Sequence, residues 1–243
     1  MKNQYAGDIG DYTKLGMLRA IERAGFHLGI NWYLTPDEHS DSPNKTDGKH
    51  TDYLRKLCDT SDRVLFQKLK EIIDSGVRSV EKLETAGLFE LARFFGEILV
   101  SSQRKGWHAK AISALKEREV VFLDPDNGLE IKSTEPHHKD GNKYTTYEEA
   151  SDYYVKGRAS VIVYNHRDRS PSENYIKRLT KFVDEKWTPG AVSFYLRSHQ
   201  YSVRDYLFLV QPHHLDKMNQ AITRLLSPGT GWDEYFERNH FSM

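Results

Sequence analysis

VVFLDPDNGLE, residues 120–130, passes in one step from four wholly apolar residues to a polar turn. An apolar run this short, bounded by turn formers, reads as a strand covered on both faces. Working outward, SVIVY (160–164), VSFYL (192–196) and YLFLV (206–210) repeat the pattern downstream, and LGINWYL (28–34) repeats it upstream. Amphipathic stretches lie between them. Residues 147–155 read as a helix. In 173–185, Tyr175, Ile176, Leu179, Phe182 and Val183 share one face, and Leu215, Met218, Ile222, Leu225 and Leu226 line a last helix. The gap from 196 to 206 is too short for a helical crossover, so those two strands are expected to pair antiparallel.

The expectation is a single three-layer α/β domain over residues 1–243, with a mixed central sheet, helices on both faces and a C-terminal antiparallel strand pair. Residues 1–119 form its helix-rich part and 120–243 its regular βαβ half. In the first part, Asp11 or Thr13 is expected to cap a helix running to Arg23. Asp62 opens another, with Leu65, Leu69, Ile72 and Ile73 on one face and Gly76 at its end. Residues 79–95 read as two short helices and 107–115 as one more. Residues 35–51, dense in turn formers and charge, read as a long loop of the kind that carries function or disorder.

Hydrophobic residues make up 38% and charged residues 29% of the 243, the balance of a globular protein rather than a disordered one. No apolar run approaches the roughly 20 residues that span a bilayer, and the opening lacks the apolar stretch of a secretory signal. The single Cys58 excludes an internal disulfide and a multi-cysteine zinc site, so a cytoplasmic location without membrane attachment is expected. Lys plus Arg equals Asp plus Glu, at 35 each, so any nucleic-acid partner requires a local basic face.

Ligands of open α/β sheets gather beyond the carboxyl ends of the strands. There the sequence places Asp37 and Glu38, then Asp124, Asp126, Asn127 and Glu130, then Asn165, His166, Arg167 and Arg169. Asp124 is the candidate catalytic carboxylate: in a dry site it can activate water or stabilise a developing cation. Asn127 can hydrogen-bond a base edge, and His166 is the candidate acid, base or phosphate ligand. The opening YAGDIGDYTKLG adds Tyr5, Asp8, Asp11 and Lys14 among glycines that let a backbone approach a ligand closely. Between 156 and 181, seven Lys or Arg face Asp168 and Glu173. Among them Arg169, Lys177, Arg178 and Lys181, with interleaved tyrosines, suit contact with a nucleic-acid backbone. The competing reading of each segment is structural: a good turn for 124–128, a helix-initiating turn for 5–16, and a solvated charged helix face for 173–185. The adjacent pairs His137-His138 and His213-His214 lack helical zinc spacing, and SPGTGW (227–232) lacks the Lys-Ser/Thr of a phosphate loop.

With GDIGDYTKLGMLR (7–19), NWYLTPDE (31–38), DGKHTDYL (47–54) and VVFLDPDNGLE, the chain resembles a group of bacterial and phage proteins that share these segments. The order of the second half also resembles nucleic-acid adenine methyltransferases, in which a strand ends in an Asp-Pro-Pro-Tyr type motif. Asp124-Pro125 matches its first two positions, whereas Asp126-Asn127 departs from them. The glycine-rich S-adenosylmethionine loop of those enzymes is replaced by YLTPDEHS (33–40). More loosely, the chain is similar to phage-defence proteins that include DNA glycosylases acting on hypermodified bases. These resemblances imply a hydrolase that removes a base from DNA without a cofactor, in antiviral defence. A methyltransferase using S-adenosylmethionine and a non-catalytic nucleic-acid-binding module are the alternatives.

Overall fold

The computed structural model describes residues 1–36, 48, 50–55, 61–131, 134, 139–168, 170–184 and 186–241. Expectations that fall on Asp37, Glu38, Cys58, His137, His138 and Arg169 lie outside these residues. The chain runs α1 (Ile9–Arg23), β1 (Leu28–Asn31), α2 (Arg63–Asp74), α3 (Val80–Thr85), β2 (Arg93–Phe95), α4 (Arg104–Ala114), β3 (Val120–Leu123) and the two-residue strands β4 (Gly128–Leu129) and β5 (Tyr144–Thr145). It continues through α5 (Tyr147–Val155), β6 (Ser160–His166), α6 (Ser172–Phe182), β7 (Val192–Ser198), β8 (Arg204–Val210), α7 (Leu215–Leu225) and β9 (Glu237–Asn239). No helix among the described residues is long and apolar enough to cross a membrane.

The protein is a three-layer α/β structure whose main sheet has the order β2-β1-β3-β6-β8-β7-β9. The first four strands are parallel, and β8 and β7 follow as an antiparallel pair. Each apolar strand serves both outer layers. Val120, Phe122, Ile162 and Phe208 join the core under α1, α2 and α7, while Val121, Leu123, Val161, Val163, Leu207 and Leu209 join the core under α4, α5 and α6. The period-2 alternation of strand side chains makes this division, and the absence of a polar face explains why these strands read as continuous apolar runs.

Several boundaries correct the sequence reading. The N-cap of α1 is Asp8, whose side chain accepts from the Asp11 amide, rather than Asp11 or Thr13. β1 stops at Asn31 instead of 34, because the Asn31 carboxamide accepts from the Tyr33 amide and turns the chain. Residues 79–95 give one helix and the edge strand β2, not two helices. β6 continues through Asn165 and His166, and β8 begins at Arg204, so both extend beyond their apolar runs. Gly16 has a packing role: the Trp232 ring lies against it so closely that any Cβ would overlap the indole.

Candidate functional site

Winding reverses between β1, whose chain leads to β2, and β3, whose chain leads to β6 on the other side. Such a reversal opens a crevice at the strands' carboxyl ends. A cavity of about 400 Å³ lies at this edge, within the roughly 300–1,000 Å³ of small-ligand sites. The segment after β3, the end of β6, the start of β8 and the first turns of α1 line it. Helix α1 precedes β1 and runs against it, which brings the amino end of α1 to the carboxyl edge of the sheet.

A buried ionic trio forms the wall on the α1 side. Lys14 Nζ lies 2.6 Å from Asp124 Oδ2 and 2.9 Å from Asp11 Oδ1. The three residues are 4%, 2% and 1% exposed. Asp11 also accepts from the Gly7 amide at 2.8 Å, which fixes its carboxylate across the first turn of α1. Burial works against the charge of Lys14, but Asp11 and Asp124 together hold its ammonium above the ordinary lysine value. Burial raises Asp124, with Lys14 and the terminal ammonium opposing it. Two carboxylates against one ammonium leave the trio with one negative charge. Charges removed from water in this way persist only where they are paired.

Half-buried Asp8 lines the same cavity, and burial followed by the charge of Asp11 raises its carboxyl. Arg204 faces it: burial opposes the guanidinium charge, but Tyr164, Tyr206 and Asp8 keep it above the ordinary value. Arg204 Nε donates to Tyr164 Oη at 3.1 Å, and burial pushes that phenol up to about 12. The Met1 ammonium sits 2.6 Å from Asp126 Oδ1 and donates to the carbonyls of Tyr33 and Asp124.

Asn127 and His166 are among the cavity side chains left with hydrogen-bonding capacity. Asn127 is held through its backbone, with its amide on the Lys143 carbonyl at 2.8 Å and its own carbonyl accepting from the His166 amide. Among the described residues its carboxamide has no partner. The His166 imidazole is likewise without a hydrogen bond and packs edge-on to Tyr164. Burial, followed by Arg204, pushes His166 down to about 4. The ring is therefore neutral near pH 7.

The cavity thus gathers the expected Tyr5, Asp8, Asp11, Lys14, Asp124, Asp126, Asn127 and His166. It does not include three others. Asn165 is fully buried, accepting from the Leu129 amide and donating to Tyr175 Oη. Its oxygen lies where a Cβ on Gly128 would be, so the left-handed turn there (φ +110) requires glycine. Arg167 donates to the Ser170 carbonyl and stacks over Tyr175, with 4.4 Å from guanidinium to ring centre. Glu130 accepts from the Tyr147 amide and lines a second cavity of about 820 Å³ with Tyr147, Lys177, Arg178 and Lys181. Asp124, Asp126 and Glu130 are thus divided between two cavities, and among the described residues no three His, Cys, Asp or Glu side chains are grouped to hold a metal ion. On α6, Lys177 and Lys181 are exposed, but Arg178 is ion-paired with Asp168. That pairing corrects its assignment to a freely solvated face.

Sequence reasoning missed Arg204 and His50, and read Tyr164 as the end of the SVIVY strand, not as part of the cavity lining. Arg204 carries no local motif. It reaches the cavity because the β6–β8 register sets it opposite His166. The fit of S-adenosylmethionine can be judged from the turn after β1. There Trp32 and Tyr33 are fully buried, and the amides of Trp32, Tyr33 and Thr35 donate to Phe95, Asn31 and Met1. Among the described residues of this turn these three amides are already engaged, so Trp32, Tyr33 and Thr35 do not supply the close backbone approach that such a cofactor uses. No protein-family model matches the chain, and no curated protein does.

Proposed function

We propose that the cavity hydrolyses the N-glycosidic bond of a base in DNA, leaving an abasic site. The observation that carries this reading is the net negative buried trio facing two unpartnered neutral hydrogen-bonding groups, Asn127 and His166. Loss of a base gives the sugar positive charge and the departing base negative charge. A preorganised anion in a dry site stabilises the first without reorganisation. Asp124 is the carboxylate of the trio that follows the sheet edge directly. Lys14 holds it in one orientation, and Asp124 orients the attacking water and accepts its proton, balancing the proton delivered to the departing base.

Asn127 hydrogen-bonds the base edge. His166 is neutral at pH 7 and acts as a hydrogen-bond donor to the leaving base rather than as an imidazolium. Asp8, raised by burial and by Asp11, is the candidate to donate a proton to the base as it departs. Base access requires extrusion from the stack, at a cost of a few kcal/mol. Phosphate contacts by Lys177 and Lys181 offset part of that cost. A role in antiviral defence follows if the base is a modified one carried by phage DNA.

The test is incubation of the purified chain with plain and base-modified DNAs, single- and double-stranded, followed by alkali. Strand scission at one base type supports the reading. Intact strands throughout, with S-adenosylmethionine-dependent methylation instead, would replace it.

A further inference from the structure

The turn joining β7 to β8 carries one residue whose conformation and exposure are both unusual. Tyr201 holds φ +61, a left-handed conformation that is costly for a side chain with a Cβ. It is also 54% exposed, uncommon for so large a ring. The surrounding hydrogen bonds maintain the strain. Ser202 donates its amide to the Gln200 carbonyl at 2.8 Å, and Arg204 Nη1 donates to the carbonyls of Gln200 at 2.6 Å and Ser202 at 3.2 Å. Arg204 is the same guanidinium that lines the cavity, so cavity and turn are fixed by one side chain. The Tyr201 ring lies 4.8 Å from the ring of His50, centre to centre. His50 and Ser202 both line the cavity. An exposed tyrosine packed on the partly buried His50 ring therefore stands at its rim, held there against a conformational preference. Strain of this kind persists where the surrounding structure enforces it and tends to mark functional positions.

We propose that Tyr201 is a stacking site for a nucleobase, occupying the gap that an extruded nucleotide leaves in the duplex. This inference rests on the DNA reading above. A base that enters the cavity leaves its neighbours without a stacking partner. A flat ring at the cavity mouth supplies one irrespective of sequence, because every base offers a π-face. The fixed turn presents the ring already placed, so little freedom is lost when it enters the stack. His50 supports the ring from the protein side.

The experiment uses a 30-base-pair duplex with one central tetrahydrofuran site, which mimics the gap, flanked by 2-aminopurine. The matching intact duplex and the matching single strand are the comparisons. The wild-type chain is expected to bind the gapped duplex about tenfold more tightly than the intact one and to quench 2-aminopurine on binding. Tyr201→Ala is expected to lose both the preference and the quenching while keeping its melting temperature. Tyr201→Phe is expected to retain both. A Tyr201→Ala protein that still discriminates tenfold and still quenches overturns the role of Tyr201 and leaves the DNA reading intact. A wild-type chain that binds none of these DNAs overturns the DNA reading and this inference with it.

Discussion

In the cavity between α1, β3 and β6, the charges of Asp11, Lys14 and Asp124 are almost wholly removed from water and held by one another. Along the outer face of α6, Lys177 and Lys181 are exposed, and the one cation that turns inward, Arg178, is matched by Asp168. The two regions are comparably rich in charge, but they differ in what the charge costs. Buried ions that gain nothing from solvent are weak contributors to stability, and their retention beside an open cavity is better explained by chemistry. Exposed lysines cost little and are suited to holding a polyanion. Under the proposal, bond cleavage belongs to the first region and phosphate contact to the second.

The largest effect should come from breaking the trio. Lys14→Met leaves two buried carboxylates facing one another, and chemical denaturation should report a loss of about 3–5 kcal/mol. A loss below about 1 kcal/mol would mean that water reaches the trio. Next is the pH response of His166. Its folded value of about 4 lies below the 6.5 of a free imidazole. The unfolded chain therefore binds its proton first as the pH falls. The contribution of His166 to stability is intact above pH 6.5 and is lost progressively between 6.5 and about 4. It should amount to at most about 3.5 kcal/mol, each pKa unit being about 1.4 kcal/mol. Subtracting the stability–pH curve of His166→Gln from that of the wild type isolates this loss. Parallel curves would place the ring in water.

On the α6 face the effects should be smaller and of another kind. Arg178→Ala removes a partly exposed ion pair and should cost about 0.5–1 kcal/mol. Lys177→Ala with Lys181→Ala should change stability by less than about 0.5 kcal/mol. The same double variant should reduce the slope of log affinity for DNA against log salt by roughly 2, at about 0.9 per phosphate contact. An unaltered slope would remove this face from the interface and leave the cavity without its expected anchor.

The same contrast shows how much could be read from the chain alone. The five apolar strands and the antiparallel hairpin were legible because burial on both faces leaves a continuous apolar run. The edge strands β2 and β9, three residues each, were too short to leave a pattern. The ends of β6 and β8 were hidden for the opposite reason, since Asn165, Arg204 and Asp205 are polar and look like loop. Asp205 is fully buried there because Arg197 grips both of its oxygens, at 2.7 and 2.8 Å, and Tyr175 donates to it. No local pattern encodes such satisfaction. In the site, Asp124, Asp126 and Asn127 followed from the strand-end rule, and the α1 residues followed from an unusual opening. Arg204 could not be found, because only strand register brings it to the cavity. Asn165 and Arg167 were misassigned because adjacency in sequence to His166 does not determine which way a side chain turns. Arg178 was misread because a helical period shows which side is polar but not that Asp168 waits beside it.

In the proposed reaction the charge of Asp124 drives base release. Asp124→Asn keeps the side chain's shape and still leaves Lys14 paired with Asp11, so folding should be nearly unchanged. Removing that charge cancels the net negative charge of the trio. The direct measurement is the single-turnover rate of abasic-site formation, read by alkaline scission, for wild type and Asp124→Asn at saturating protein on the DNA that the wild type cleaves most readily. The rate should fall by about a hundredfold or more, with DNA affinity and melting temperature within error of the wild type. A variant that releases the base at the wild-type rate would contradict the proposal.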